Sequence, residues 1–304
     1  MENIQATVWA VVVSFNPRQE KLQILLDLLS PQVMGIVVVD NGSSNRELDR
    51  IPSRPTIRPL HLIRFTENRG IAAAQNAGIS YTRRHGPEFV ILFDHDSAPD
   101  ADMVARLIHV AKEKTSSGVK LAAVGPRYLD ERQDNPPPFI AIDGFRIRRM
   151  ACKEPDSVVE VSYLIASGCL IPMRALDIVG DMREALFIDY VDIEWGLRAR
   201  EMGFRSFGVC AAKMSHDLGD EPIRFMGRSI PLHSPLRHYY HFRNAVWLYR
   251  QDWLSWQWKL ADGWRLLMKY GFYTLFAPPR HKHLQMMTRG IWHGLTGRLG
   301  RYHR

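Results

Sequence analysis

Short apolar runs alternate with amphipathic stretches through the first half of the chain. The runs are rich in Val, Ile and Leu and are bounded by turn-forming residues, as expected of buried strands. The predicted strands cover residues 8–15, 36–39, 60–65 and 89–93. The predicted helices, in which apolar side chains recur at helical spacing, cover residues 17–29, 71–84 and 101–114. Strands that alternate with helices predict an α/β domain built on a sheet that begins as a parallel one.

The second half of the chain has a less regular pattern. Residues 127–160 contain three consecutive prolines and mixed charges, which predicts a long loop or insertion. Because long loops in compact domains are often functional, we expect an acceptor-side or lid segment there. Strand-like runs follow at 161–172 and 205–210, and helices at 174–179 and from about 189 to 200.

From Pro235 onward the chain is rich in aromatic and basic residues. Five tryptophans between residues 247 and 264 are interleaved with Arg, Lys and His. Amphipathic helices of this composition suit a membrane interface that contains anionic lipid. A helical hairpin packed on the domain and a dimer interface are the alternatives. We expect residues 233–304 to form C-terminal amphipathic helices that associate with a membrane.

Two carboxylates separated by a single residue stand at the end of the fourth predicted strand. If strand geometry continues through Asp94 and Asp96, both side chains point the same way, outside the carboxyl end of the sheet, where open α/β sheets bind ligands. Neighbouring carboxylates repel each other unless a cation lies between them, and they are hard ligands suited to Mg²⁺ or Mn²⁺. The pair indicates a metal-bound diphosphate. The alternative is that both residues only end the strand and cap the next helix.

Two further polar segments follow predicted strands. Asp40 begins a Gly/Ser/Asn-rich loop, 40–45, and its carboxylate could accept a hydrogen bond from a base or a ribose hydroxyl. A plain turn is the alternative, since Asn-Gly is a common turn dipeptide. Residues 67–70 precede an alanine-rich helix whose N-terminus could support a phosphate, and the alternative is simply a helix packed closely on the sheet.

The helix predicted from about residue 189 contains a second acidic group. Asp192 and Glu194 are two residues apart, so they do not share a helical face and only one can point into a given site. The alternative for Asp189 and Asp192 is a helix cap with acid in the first turn. His216 lies in a predicted loop and could complete a metal shell with two carboxylates, although a lone histidine is more often structural.

Composition narrows the possible partners. The formal net charge of +8 and the pI of about 9.5 suit nucleotide phosphates, nucleic acid or an anionic membrane. The three cysteines are few and widely spaced, so we expect no zinc site, no disulfide framework and a reducing compartment. The N-terminus lacks signal-peptide features, and no apolar run reaches the roughly 20 residues of a membrane span, so we expect a soluble or peripheral protein.

Taken in order, several motifs resemble those of the inverting glycosyltransferases of family 2, which have the GT-A fold. The motifs are VVVSFNP, VVVDNGSSN, ENRGIAAAQNAGI, FDHDS, ASGCLIP, LFIDYVDIEWGLRAREMGF, the SH of KMSHD, and YYHFRN. Each motif is weak alone, but their order and spacing are specific to the family. The resemblance extends from Val11 to about Arg301 and is strongest to bacterial rhamnosyltransferases of cell-surface polysaccharide assembly.

The resemblance implies a role for individual residues. In the donor site, Asp40 would contact the base, and the nucleotide pocket would be lined by Ser14, Asn16, Asn41 and Arg69. Asp94 would contact ribose or the metal, while Asp96 and His216 would bind the metal. Asp192 would be the catalytic base and Glu194 the acidic residue that accompanies it, although Val191 stands where many members have Glu. Arg243, with Asn244, would contact the diphosphate or the acceptor.

The implied architecture is a GT-A catalytic domain over residues 1–232 and a helical region over 233–304. The nucleotide-binding half is 1–125 and the acceptor half 126–232. The implied reaction transfers a sugar, with dTDP-L-rhamnose as the favoured donor, to a saccharide or lipid-linked saccharide, with Mg²⁺ or Mn²⁺ as cofactor. The protein would act in the cytoplasm, peripherally on the inner face of the bacterial cytoplasmic membrane; its partners would not include nucleic acid, and homo-oligomer formation stays open.

Three other functions remain open at this point. Another donor, such as a UDP-hexose, would keep the fold and the mechanism. A nucleotidyltransferase would share the acidic metal site, but residues 14–20 offer no Gly-rich loop with Lys or Arg, which counts against it. A non-enzymatic membrane-binding or nucleic-acid-binding module could use the tryptophan-rich region, but the acidic pair and the regular α/β half argue against it.

Overall fold

A computed structural model describes residues 8–45, 48, 59–129, 139–144, 146–216, 223–225, 228–230 and 233–303. Its strands are β1 (Val8–Ser14), β2 (Gly35–Asp40), β3 (Leu60–Arg64), β4 (Phe89–Asp94), β5 (Ser97–Pro99), β6 (Leu121–Leu129), β7 (Phe139–Asp143), β8 (Arg146–Met150), β9 (Val158–Val161), β10 (Leu170–Pro172), β11 (Arg205–His216), β12 (Ile223–Phe225) and β13 (Arg228–Ile230). Its helices are α1 (Gln19–Leu29), α2 (Ile71–Arg83), α3 (Met103–Ser116), α4 (Met173–Val179), α5 (Val191–Glu201), α6 (Pro235–Tyr249), α7 (Trp256–Phe276) and α8 (Arg280–Thr296), with a 3-10 turn at Glu184–Leu186.

The described strands form one large mixed sheet in the order β3-β2-β1-β4-β10-β6-β11-β5, with β9 also paired to β11. Strands β3, β2, β1 and β4 are mutually parallel, which confirms the α/β prediction for the first half of the chain. Strand β10 is antiparallel to both β4 and β6, so the direction changes in the middle of the sheet. The carboxyl ends of β1, β2 and β4 therefore meet at one edge.

Each face of this sheet has its own apolar core. Helices α1 and α3 cover one face and bury their leucines against alternate residues of β1 and β4. Helix α2 covers the other face, where its Ala and Gly residues allow a close approach: a Cβ on Gly78 would lie 2.3 Å from a Val11 methyl group. The close packing proposed for this helix from its sequence is thus confirmed.

The segment predicted as a long loop at 127–160 contains several strands. Strand β6 extends to Leu129, β7 and β8 form an antiparallel pair, and β9 pairs with β11. A Cys152–Cys210 disulfide joins this segment to β11, with the Cα atoms 5.7 Å apart. The expectation that the cysteines are unpaired is therefore wrong for these two, because sheet pairing brings together residues that are 58 positions apart. Cys169 is free and buried.

The C-terminal helices share the core of the α2 face of the sheet. Trp258, Leu266 and Tyr273 of α7 are buried in that core. Helix α8 packs closely on α6 because it presents Gly290 and Gly294, whose Cβ positions would clash with the α6 backbone. Other apolar side chains of α7 and α8 are exposed. In the described part of the chain, none of the helices combines the length and the apolar character needed to cross a bilayer.

Candidate active site

The acidic pair lies where the sequence predicts, at the carboxyl edge of the sheet, but not on one continuous strand. Asp94 is the last residue of β4, and His95 and Asp96 form a turn that leads into β5. Strand β5 pairs with β11 so that Ser97 lies opposite His216. The backbone thus brings His216 near Asp96 in the register of the sheet, while the side chain of His216 lies outside the part of the chain that is described.

Ser167, in the ASGCLIP motif, connects both ends of this turn. Its Oγ accepts a hydrogen bond from the amide of Asp94 (3.2 Å) and lies 2.6 Å from the hydroxyl of Ser97. The hydroxyl of Tyr128 donates to the carbonyl of Ser167. A role for Ser167 and Tyr128 was not predicted from the sequence, although Ser167 lies in the ASGCLIP motif. Together these side chains fix the backbone that presents the acidic pair.

Asp192 stands in the first turn of α5 and is partly buried. Burial raises the pKa of Asp192 from its usual 3.8 to about 6, and the charges of Asp189 and Asp94 act in the same direction. Its own amide and that of Ile193, which donates at 2.9 Å, oppose the change. Burial also raises the pKa of Tyr128 well above its usual value, with Asp94 and Asp192 adding to it. The charges of Asp94 and Asp192 therefore act on each other and on Tyr128.

The turn in front of α5 has an unusual backbone. Three of its non-glycine residues, Phe187, Asp189 and Tyr190, have φ angles of 67°, 62° and 63°. A non-glycine residue in this region costs about 1–3 kcal/mol, so neighbouring contacts must hold the turn. Asp189 accepts from Arg237 of α6 at 3.3 Å. The carbonyl of Phe187 accepts from the amide of Ile71 at 2.7 Å, so this turn, rather than a phosphate, uses the first amide of α2.

Loop 40–45, which follows β2, folds back on the end of β1. The amide of Asn16 donates to the hydroxyl of Ser43 at 2.8 Å, and the Oδ1 of Asn16 accepts from the amide of Ser44 at 2.8 Å. Asp40 is buried and accepts from the amide of Ser43 at 2.9 Å through one oxygen. Asp40 thus closes its own turn, as the plain-turn alternative requires, and its contact with a base stays a prediction.

The same loop holds the segment in front of α2. The Oδ1 of Asn41 accepts from the amide of Arg69 at 2.9 Å, and its Nδ2 donates to Asn68 at 3.2 Å. The guanidinium of Arg69 lies 4.8 Å from the centre of the Phe65 ring and is exposed. Ser14 is fully buried at the end of β1, and its hydroxyl has no partner in the described part of the chain. The predicted donor-side residues therefore cluster at the carboxyl ends of β1 and β2.

Glu194 and Arg243 were predicted to be functional, but both are buried and form their hydrogen bonds within the protein. Glu194 is fully buried and accepts from Arg198 at 2.9 Å and from Arg183 at 3.3 Å, on the side of α5 away from Asp192. The helical spacing allowed only one of Asp192 and Glu194 in the site, and the contacts of Glu194 leave Asp192 as the candidate. A catalytic role for Glu194 does not agree with this placement.

The predicted donor contact of Arg243 needs a similar correction. Arg243 is fully buried in α6, and its guanidinium donates to Asn244 and to main-chain carbonyls of Leu186 and Gly300. Because these bonds use the guanidinium within the protein interior, Arg243 is not available to a diphosphate. The YYHFRN motif, which contains Arg243, therefore has a role other than contact with the donor.

A ready-made group of three His, Cys, Asp or Glu ligands is not present among the residues with described side chains. The side chain of His216 is not among those described, so the expected metal-ligand set of Asp94, Asp96 and His216 stays a prediction. Two carboxylates and an imidazole are a donor set that suits Mn²⁺ and, through its oxygens, Mg²⁺. The chemistry of the set fits a divalent cation.

Comparison with known proteins agrees with the fold. The crystal structure of GalNAc-T7 with UDP, GalNAc and Mn²⁺ superposes with a TM-score of 0.63 at 15% identity, over 98% of this chain and 58% of that one, so this chain spans less than two thirds of its length. The structure of S. aureus TarS 1-349 in complex with UDP-GlcNAc gives 0.54 at 16% identity, over 98% and 93%. These likenesses concern the fold, which is GT-A, as predicted.

Sequence comparison gives the family. A relative from Shigella flexneri, the dTDP-rhamnosyl transferase RfbF, is 34% identical over 250 residues, which is 82% of each chain. The model of the Glycosyl transferase family 2 domain matches residues 9–170, the part that contains the donor-side loops and the acidic pair. The chain belongs to glycosyl transferase family 2.

Proposed function

We propose that this glycosyltransferase moves L-rhamnose from dTDP-L-rhamnose to a saccharide acceptor, with inversion at the anomeric carbon and Asp192 as the base. The main support for the reaction is Asp192, a carboxylate in the first turn of α5 whose pKa is raised by burial and whose charge interacts with that of Asp94. The support for the donor is the similarity to a dTDP-rhamnosyl transferase over most of both chains.

Asp192 has the properties of a general base. A base works best when its pKa is near the working pH, since it is then both deprotonated and able to take a proton. Burial gives Asp192 a pKa of about 6, so it is ionised at neutral pH and more basic than an exposed aspartate. In the proposed reaction it takes the proton of the acceptor hydroxyl while that oxygen attacks the anomeric carbon from the face opposite the leaving group. A single displacement inverts the configuration.

On the donor side, Asp94, Asp96 and His216 would hold Mg²⁺ or Mn²⁺. When bound, the cation would neutralise the charge that develops on the departing nucleoside diphosphate. Ser14, Asn16, Asn41 and Arg69 would line the nucleotide pocket, with Asp40 beside the base. The hydrogen bonds that tie loop 40–45 to its neighbours support this, because a pocket for a nucleotide must be held in shape before the donor arrives.

We further propose that α7 and α8 dock on an anionic membrane, where a lipid-linked saccharide acceptor would be found. Phe276, the last residue of α7, is exposed on another side of the helix, but the other six large apolar side chains that α7 exposes fall within about a third of a turn when plotted at 100° per residue. They are Trp256, Leu260, Trp264, Leu267, Met268 and Leu275, and they are continued on α8 by Leu284, Trp292 and Leu295. We call this set the apolar stripe.

Charge supports an anionic lipid as the partner of the stripe. Residues 256–304 contain nine of the forty Lys and Arg residues and one of the thirty-two Asp and Glu residues. They therefore account for the whole formal net charge of +8, and the rest of the chain is neutral. A second copy of this chain would bring like charges together, whereas an anionic bilayer receives both the aromatic side chains and the charge.

The donor is tested with a panel of dTDP-rhamnose, UDP-glucose, UDP-galactose and GDP-mannose, with release of the nucleoside diphosphate as the measurement. We expect release from dTDP-rhamnose alone, enhanced by a saccharide acceptor and abolished by EDTA. Preference for a UDP-hexose would overturn the sugar assignment but keep the reaction. Turnover that is unaffected by EDTA would overturn the metal assignment.

The membrane surface is tested by co-sedimentation with vesicles of phosphatidylcholine containing about a third phosphatidylglycerol. The double variant Trp264→Ser, Leu267→Ser should bind at least about tenfold more weakly, because two apolar side chains no longer enter the interface. Ile24→Ser, at an exposed apolar residue of α1, is the matched control and should bind normally. Unchanged binding of the double variant would overturn the proposal. So would a wild-type dimer, seen by sedimentation, that the variant dissociates while vesicles bind neither protein.

A further inference from the structure

Arg243 and Asn244 are adjacent residues in the middle of α6, and both side chains are fully buried. Neither is oriented toward the sheet edge that holds the acidic pair. Their side chains instead reach the backbone of residues 186–189, within the left-handed turn that precedes α5. This is the turn whose backbone the local sequence does not favour, since none of its left-handed residues is glycine.

The amide of Asn244 has a fixed orientation. The Nε of Arg243 donates to its Oδ1 at 2.9 Å, and because a guanidinium only donates, the oxygen must face Arg243. The Nδ2 is then directed at the carbonyl oxygens of Leu186, Ile188 and Asp189, which lie at 2.9, 2.8 and 2.8 Å. The two hydrogens of this one buried amide group are thus shared among carbonyls from three residues of the turn.

The guanidinium of Arg243 supports the same turn from its start. One terminal nitrogen donates to the carbonyl of Leu186 at 2.8 Å, and the other donates to Gly300 at 2.5 Å. Gly300 in turn donates its amide to the carbonyl of Ala185 at 2.7 Å. The guanidinium also lies 4.9 Å from the centre of the Tyr240 ring. Buried carbonyls need such donors, because water cannot replace them.

The turn held in this way touches both halves of the proposed reaction. On one side the carbonyl of Phe187 accepts from the amide of Ile71, directly after the loop that contains Arg69. On the other side the turn leads straight into α5, where Asp192 is the second residue. A small change in the turn would therefore move the proposed base relative to the proposed donor pocket.

We propose that Arg243 and Asn244 are positioning residues for the glycosyl transfer: they hold turn 186–190 so that Asp192 keeps its place relative to the donor loop. They touch neither donor nor acceptor and act through the turn. This inference rests on the proposed role of Asp192 as the base.

The test compares Asn244→Asp with Arg250→Met. Asn244→Asp keeps the shape of the side chain but turns an acceptor oxygen toward three carbonyl oxygens. Arg250→Met removes another arginine–carbonyl bond of the same helix, from Arg250 to Gly294 at 3.3 Å, which does not involve the turn. We expect Asn244→Asp to lower kcat about 100-fold, since misplacement of about 1 Å can cost that much, with donor Kd within threefold of the wild type. Arg250→Met should keep kcat within threefold.

The measurement is made per folded molecule, by dividing the rate by the concentration of donor-binding sites from titration calorimetry. A purely structural role would lower the number of sites and leave kcat per site unchanged, and that result would overturn the proposal. If Asn244→Asp does not fold, Arg243→Lys is the second test variant. It keeps the positive charge but loses the paired donor groups of the guanidinium. It should retain donor binding and lose at least about tenfold in kcat.

Hydrogen exchange tests the support of turn 186–190 independently of the proposed glycosyl transfer. Exchange at the amides of Ile71 and of residues 187–191 should be faster in Asn244→Asp than in the wild type, and unchanged in Arg250→Met. If no donor is turned over by the wild type but this exchange pattern is found, the proposed function fails and the support of the turn stands. If exchange in the turn is the same in all three proteins, the support of the turn is refuted whatever the activity.

Discussion

The hydroxyl of Tyr190 donates a 2.8 Å hydrogen bond to Asp262, which connects helix α7 to the turn in front of α5. Tyr190 is the N-cap residue of α5, two positions before Asp192. Asp262 also accepts from Tyr249 of α6 at 2.6 Å, so one carboxylate joins three helices. The helix that bears the exposed tryptophans is therefore part of the support of the candidate site, rather than a separate appendage.

This relationship predicts different effects for two tyrosine variants. Tyr190→Phe and Tyr249→Phe each remove one hydrogen bond to the same carboxylate, and each should lower the free energy of unfolding by about 1–3 kcal/mol. Only Tyr190 adjoins α5, so only Tyr190→Phe should also lower kcat, by about tenfold. Urea denaturation and steady-state kinetics measure the two quantities. Equal kcat values for the two variants would show that the bond to Asp262 does not position α5.

Asp192→Asn should remove most of the transfer activity and leave donor binding nearly intact. The amide cannot take a proton, and loss of a general base typically costs about 100- to 10,000-fold in rate. In the wild type the rate should rise with pH through about 6, as Asp192 ionises. The measurements are a pH–rate profile and donor titration. An equal loss of donor affinity would indicate that Asp192 serves only to cap α5.

The same substitution should stabilise the protein at neutral pH. Because the pKa of Asp192 is raised in the folded state, folding favours the protonated form. Its contribution to stability is present below the unfolded pKa of about 4 and is lost as the pH rises through about 6. Asparagine removes this loss, so Asp192→Asn should gain about 1–2 kcal/mol at pH 7.5, after allowance for partial exposure. The gain should vanish at pH 4, as denaturation at both pH values would reveal.

Glu194→Ala should affect stability rather than chemistry. It leaves the guanidinium of Arg198 without its buried partner, which typically costs about 3–5 kcal/mol. Glu160→Ala is the matched control, because its pair with Arg205 is half-exposed and such pairs contribute about 0–1 kcal/mol. Activity per folded molecule should be close to the wild type in both. If Glu194→Ala, at full donor occupancy, lost as much activity as Asp192→Asn, Glu194 would have a catalytic role after all.

The extent to which sequence predicts this structure depends on how local the determining contacts are. Strands β1 to β4 and the helices between them could be predicted, because each is defined by its own run or periodicity. Strand β9 could not, since Val158–Val161 pairs with Ser206–Val209, far along the chain. A short strand of this kind is recognisable only beside its partner. The Cys152–Cys210 disulfide was missed for the same reason.

The candidate site likewise contains residues whose positions follow from local sequence and residues whose positions depend on distant contacts. The position of Asp94 and Asp96 at the sheet edge follows from the strand that precedes them. Helical spacing separated Asp192 from Glu194 but did not say which of them faces the site; the Glu194–Arg198 pair, four residues apart, was a local signal of the answer. The direction of the Arg243 side chain depends on the turn at 186–190, whose positive φ angles at Phe187 and Tyr190 are not predicted by those residue types.

Gly70→Ala should disrupt the contact between the donor loop and the turn. Gly70 has φ of +90°, and a Cβ there would lie 2.6 Å from the carbonyl oxygen of Phe187, which accepts from Ile71. Gly86→Ala is the control, because its φ is +63° but its Cβ would meet open space. Both variants place an alanine at a positive φ, and the strain is greater at Gly70, whose ψ of 159° puts it in a region that is essentially restricted to glycine. Only Gly70→Ala must also move the turn or the loop.

The kinetics of the two glycine variants therefore test coupling across the site, because strain that stays within its own loop lowers stability alone. Gly86→Ala should lower the unfolding free energy and leave the kinetics unchanged, whereas Gly70→Ala should lower it further and also weaken donor binding and kcat, each by about tenfold or more. Denaturation, donor titration and initial rates on the purified full chain provide the comparison. If both variants lose the same stability and both keep wild-type kinetics, the donor loop and the turn that leads to Asp192 are independent, and the contact at Phe187 only serves the fold.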